Sequence, residues 1–236
     1  MTDARSGRSI AVIIGLLIVS NVVANLVLPS WASVPWNVAI ATILVVVALR
    51  NGISFATLDV DGPSLRRGWR VGRWFLVGAV AFYGLALLVP TTREWLEDDR
   101  VASLGWGAVT YHAFVAVPLG TVLLEEVAFR GLLPTIGERL TTRARAVAIA
   151  CVLFGLWHVL PAWEINEVNP GVRDLLGGTA GRAVAVSLGV VTSALIGFVF
   201  CWLRFRTRSL LTPMLWHIAT NSVAYIASFI AWSLAR

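Results

Sequence analysis

Six ionisable residues stand inside long apolar runs of this chain: His112, Glu125, Glu126, Arg130, His158 and His217, with Asn221 as a neutral companion. A charge in a hydrocarbon setting costs several kcal/mol, so such residues default to functional hypotheses. All three histidines of the protein belong to the set. In LLEEVAFRGLL, residues 123–133, Glu126 and Arg130 are four apart with the acid first, the favourable order for an ion pair on a helix. Glu125 lies about 100° around the same helix. One carboxylate can therefore be neutralised by Arg130 while the other faces elsewhere without a cation of its own. In FGLWH, Phe154 and His158 are four apart, so the phenyl ring packs over the turn that presents the imidazole. In HIATN, His217 and Asn221 share that spacing. A carboxylate, two imidazoles and an amide can activate a water and stabilise an oxyanion. Singly, a buried His or Asn more often makes an interhelical hydrogen bond. That is the reading for His112.

These groups need elements to carry them. Hydrophobic residues make up 58% and charged residues 14% of the 236 positions, and mean hydropathy is +0.79. Soluble domains are nearer 45–50% apolar and about 25% charged. The excess runs along nearly the whole chain, which points to lipid as the solvent. Apolar runs of spanning length lie at 9–28, 32–49, 71–90, 107–129, 144–163, 183–203 and 209–234, and the last has room for an eighth span. The expected fold is an all-α polytopic transmembrane bundle of about seven spans. The first run follows Arg5 and Arg8 but is longer than a signal-peptide core, so it is read as a retained span.

The sequence contains no lysine, and the net charge of +6 comes from arginine. Arg50, Arg66, Arg67, Arg70 and Arg73, then Arg139, Arg143 and Arg145, then Arg204, Arg206 and Arg208 fall in alternate loops. The intervening loops 29–36, 91–106 and 164–182 are uncharged or acidic. This alternation follows the positive-inside rule and puts the N-terminus in the cytoplasm and the C-terminus outside. It argues against nucleic-acid binding, which would cluster the basic residues on one face. Trp31, Trp36, Trp69, Trp74, Trp95, Trp106 and Trp163 lie near span ends, as an interfacial belt requires. Cys151 and Cys201 sit in apolar runs with no spacing for a thiolate metal site. By helix rise, Glu125 is about 7 Å from Arg130 and His217 about 13 Å from Arg208. The site is therefore expected in the cytoplasmic half, with His158 its awkward member.

The three motifs in order, EEVAFR, FGLWH and HIATN, resemble the CPBP intramembrane proteases, the group holding type II CAAX prenyl endopeptidases and bacteriocin-processing or immunity (Abi) proteins. The likeness covers roughly 107–225. It implies scaffold spans over 1–106 and a catalytic core over 107–236. It further implies an endopeptidase in which Glu125 and His158 activate water, with His217 and Asn221 lining an oxyanion hole or completing a metal site. Glu126, Arg130 and Phe154 then play supporting parts. Glu125, His158 and His217 would make a three-ligand zinc site, yet His–Glu–x–x–His is absent, so metal-dependent and metal-free schemes both stand. No Asp in the spans supports an aspartyl protease, and no Gly–x–Ser–x motif stands opposite a histidine. The implied partners are a peptide or protein substrate and the bilayer, in a bacterial cytoplasmic membrane. The rival reading is a non-catalytic immunity or scaffolding factor of the same fold. A proton-coupled transporter would show repeat symmetry, which the sequence lacks.

Overall fold

The computed structural model describes residues 2–235, with side chains from Ser6 to Ala235. Arg5, expected to head the first span, lies outside the described side chains. The described residues form helices and turns: α1 Thr2–Leu26, α2 Ser33–Arg50, α3 Gly62–Leu88, α4 Trp106–Gly137, α5 Arg143–Trp157, α6 Gly178–Thr207 and α7 Leu211–Leu234, with shorter helices in the connections. Six are long and apolar enough to cross a membrane. The exception is α5, expected over 144–163. It starts at a Thr142 cap that accepts the Arg145 N–H and closes at His158. Its 15 residues rise about 22 Å, short of a hydrocarbon core of about 30 Å. Residues 158–164 continue the apolar run as turns. The last segment holds one unbroken helix, not two.

The connections gather at two opposite ends. At one end Arg204 pairs with Asp59 at 3.3 Å, and Leu210 N–H donates to the Asp59 carbonyl at 3.1 Å. Arg67 donates to the Arg208 carbonyl at 2.9 Å and Arg139 to that of Asn51 at 3.0 Å. At the other end Asn169 donates to the Glu97 carbonyl at 2.8 Å, and Arg173 pairs with Asp99 at 3.2 Å. The first end carries the arginine-rich loops and the second the arginine-poor ones. The alternation in the sequence is thus a real segregation in space.

The most extensive packing joins α3 to α7. Gly68 and Gly72 allow it. A methyl group at Gly68 would come within 2.8 Å of Leu211 Cβ, and one at Gly72 within 2.8 Å of Leu215 Cβ. Such a small-x-x-x-small face lets helices approach closely where lipid offers no hydrophobic drive. Phe75 stacks on Trp216 one turn further along, centroids 4.5 Å apart. His217 follows directly, its register set by these contacts.

Candidate active site

The chain from Glu125 to Arg130 lies in the interior of α4. Its backbone turns on both sides are of the wide π type, over His112–Val122 and Glu126–Leu132. Such turns are rare and recur at functional sites. Glu125, Glu126 and Arg130 are all buried. The expected ion pair is present, with Arg130 Nη1 3.3 Å from Glu126 Oε1. The guanidinium makes no well-directed hydrogen bond there. Instead it lies 3.7 Å over the Phe154 ring and 4.9 Å from that of Phe200, a cation–π arrangement that is worth most where water is excluded. Phe154 also meets His158 edge-on at 4.6 Å, as its spacing suggested.

His217 stands between the two glutamates. Its Nδ1 lies 2.9 Å from Glu126 Oε1 and its Nε2 3.8 Å from Glu125 Oε2. A carboxylate beside one ring nitrogen orients the imidazole, so Nδ1–H donates to Glu126 and Nε2 is turned toward Glu125. The sequence reading assigned Glu126 to Arg130 alone, and the structure adds His217.

Glu125 is held by a residue that the sequence reading passed over. Trp157 Nε1–H donates to Glu125 Oε1 at 2.9 Å. Glu125 Oε2 has no hydrogen-bond partner. Trp157 is the fourth residue of FGLWH, directly before His158, and its type alone gave no signal because tryptophan is frequent at span ends. Its carbonyl accepts Asn21 Nδ2–H at 2.8 Å, from α1. Asn37 of α2 donates to the Gly120 carbonyl of α4 at 2.6 Å. Lone asparagines in otherwise apolar runs were the available sign.

A cavity of about 390 Å³ reaches Glu125. Trp157, His158, His112 and Asn37 are among its lining residues, and Glu125 is its one acid. His158 Nδ1 is 2.8 Å from the Phe154 carbonyl, to which it donates. His112 stacks on Tyr225 at 5.1 Å. Glu125 and His158 thus share one cavity, and His217 lies behind Glu125.

Two expectations fail. Asn221 is exposed and does not line the cavity. Four residues advance a helix by 400°, so Asn221 falls about 40° beyond His217, past the buried edge of α7. Its side-chain carbonyl accepts from Thr220 Oγ1 beside it at 3.5 Å. The cavity also does not open on the arginine-rich half. The other ends of its walls, at Asn25, Ser30, Ser33, Tyr111 and Pro161, reach the arginine-poor end. This explains His158, which sits at the far end of α5.

For the metal reading, no three His, Cys, Asp or Glu side chains among the described residues are grouped so as to hold an ion. Glu125 and His217 approach each other, but His158 does not join them. The expected donor set, as arranged, does not fit a three-ligand site.

The sequence model of the family described as type II CAAX prenyl endopeptidase Rce1-like matches residues 106–223, half of the chain. No curated protein and no solved structure matches it.

Proposed function

The chain belongs to the type II CAAX prenyl endopeptidase Rce1-like family, and on that premise we propose that it hydrolyses a peptide bond inside the membrane with a water activated by Glu125 and His158. One observation carries this reading: Glu125 is the one acid that lines the cavity, and its Oε1 is held by Trp157. A carboxylate fixed through one oxygen keeps a constant direction toward a water in the cavity.

In this scheme the Glu125 carboxylate accepts a proton as the water oxygen bonds to the substrate carbonyl carbon. The C–N bond then breaks, and the proton passes to the leaving amine. His158, which lines the same cavity, accepts a hydrogen bond from the water through Nε2 in its neutral form and orients it. Glu126, Arg130 and His217 act behind Glu125: the guanidinium neutralises Glu126, and Glu126 orients the His217 ring against Glu125. Asn221, outside the cavity, has no part in these steps, and no step passes through a metal.

The test uses purified protein in lipid and a membrane-tethered peptide reporter. Glu125→Gln should abolish cleavage, and His158→Ala should reduce it by roughly 100-fold or more, a common loss for an acid–base group. Both should fold normally. A chelator that crosses the membrane should leave the rate unchanged. Full cleavage by Glu125→Gln would refute the proposal, and chelator inactivation reversed by added metal would refute the metal-free scheme.

A further inference from the structure

We infer that the first turns of α3 form a docking surface for anionic phospholipids, with Arg66, Arg70 and Arg73 on the headgroup phosphates and the apolar residues beyond them along the acyl chains. Such binding requires neither the peptidase reading nor a given orientation in the membrane.

At about 100° per residue, Arg66, Arg70 and Arg73 fall within about 60° of one another around α3, and all three are exposed. Gly68 and Gly72 lie on the opposite side of the same turns, where a methyl group would meet Leu211 and Leu215 of α7. The packing of α3 on α7 thus turns the three arginines away from the bundle. Trp69 and Trp74 flank the stripe, one on each side, and both are exposed. The Arg73 guanidinium lies 5.3 Å from the Trp74 ring. Tryptophan with a long basic side chain is the combination that sits at headgroup depth, ring in the interface and charge reaching for the phosphates.

Depth agrees with this placement. The 27 residues of α3 rise about 40 Å, against about 30 Å of hydrocarbon. The excess carries one end of the helix into the headgroup layer, and the end with arginines suits that layer. Val77 and Val80 continue the same stripe toward the bilayer centre, and both are exposed. One face of one helix therefore runs from basic to apolar, the order of a phospholipid from phosphate to chain.

The stripe also lacks a counter-charge. Among the described residues no carboxylate stands within ion-pair distance of Arg66, Arg70 or Arg73. The acids nearest in sequence are engaged: Asp59 pairs with Arg204, and Asp61 caps the helix by accepting Ser64 N–H. Arg67 turns the other way, donating to Ser64 Oγ at 2.8 Å and to the carbonyls of Thr207 and Arg208 at 3.3 and 2.9 Å. It fastens α3 to the end of α6, whose Arg206 and Arg208 are exposed as well. Clusters of roughly four to eight basic residues beside a span attract anionic lipid, and a guanidinium can hold two phosphate oxygens at once. A soluble anion would engage the arginines and leave the tryptophans and valines idle. A phospholipid engages both.

The test is native mass spectrometry of the protein in detergent with equimolar phosphatidylglycerol and phosphatidylcholine, read as the ratio of the two lipids retained. The parent should retain phosphatidylglycerol in preference. Arg66→Gln with Arg70→Gln should cut that preference by about fivefold for each arginine removed. Arg8→Gln with Arg145→Gln removes the same charge from exposed positions off the stripe and should keep it. Thermal unfolding of the parent with either lipid added needs no variant, and phosphatidylglycerol should raise the melting temperature more. Equal retention of the two lipids by the parent, or equal loss in the two double variants, would overturn the inference. So would displacement of phosphatidylglycerol by inorganic phosphate, which would make the stripe a site for a free anion. No turnover is measured, so the outcome does not depend on whether the chain cleaves peptides.

Discussion

Trp157 donates its indole N–H to Glu125 Oε1 at 2.9 Å, from the position directly before His158. One helix end thus supplies both the group that aims the carboxylate and the imidazole that shares its cavity. Trp157→Phe keeps a ring against Phe129 and removes only the donor. A hydrogen bond to a charged group is worth about 1.5–3 kcal/mol, so kcat/KM should fall by roughly 10- to 100-fold with folded yield unchanged. An unaltered rate would mean that Glu125 is aimed by something else.

The two glutamates should separate in their effects. Glu126 holds Arg130 and His217 in a buried setting, so Glu126→Gln should destabilise the fold by roughly 3–5 kcal/mol, the usual cost of stranding a buried charge. Glu125→Gln should leave thermal stability close to that of the parent while removing turnover. The double change Glu126→Gln with Arg130→Met should recover much of the lost stability, because it removes the stranded charge. Thermal unfolding in detergent decides it. Equal losses for both single variants would make the glutamates one unit.

Gly72→Leu should disrupt the α3–α7 contact, since even a methyl there meets Leu215; overpacking of this kind costs about 1–3 kcal/mol or more. Gly78→Ala, in the same helix with nothing within 4 Å, should be neutral or slightly stabilising. If the two variants melt alike, close approach at Gly72 does not set the position of α7.

Asp61 caps α3, accepting Ser64 N–H at 3.2 Å, and the Ser64 hydroxyl together with this bond holds its carboxyl below the ordinary 3.8. A carboxyl lowered in the folded state adds stability above its unfolded value, and the contribution fades as pH falls through the folded one. The melting-temperature gap between parent and Asp61→Asn should therefore be constant above pH 5 or so and close as pH falls below about 4. A gap that persists to lower pH would assign the effect to the amide's geometry instead.

The spans were legible because bilayer thickness imposes a length on any apolar run. α5 escaped that logic: the run continues through Pro161 to Trp163, but the helix has already closed at His158, and hydropathy does not register a cap. The ion pair of Glu126 and Arg130 was legible because i,i+4 spacing is local. The placement of Asn221 was not. It depends on 40° of rotation at the margin of α7, which only the neighbouring helices decide. The hold of Asn21 on Trp157 was hidden for the same reason, as it joins residues 136 positions apart.

The division of the chain at residue 106 looks natural in the sequence, since every motif falls on one side of it. The grip of Gly68 and Gly72 on α7 says that the halves are not independent units of inheritance. The first half has no motif to preserve, but it must preserve a shape, which many sequences can satisfy provided that two positions stay nearly empty. A motif-bearing half grafted onto a foreign set of leading spans would keep every catalytic residue type and lose the register of His217. Divergence in the leading spans should therefore be freest away from Asn21, Asn37 and a few small residues, the last contributing the space that they leave.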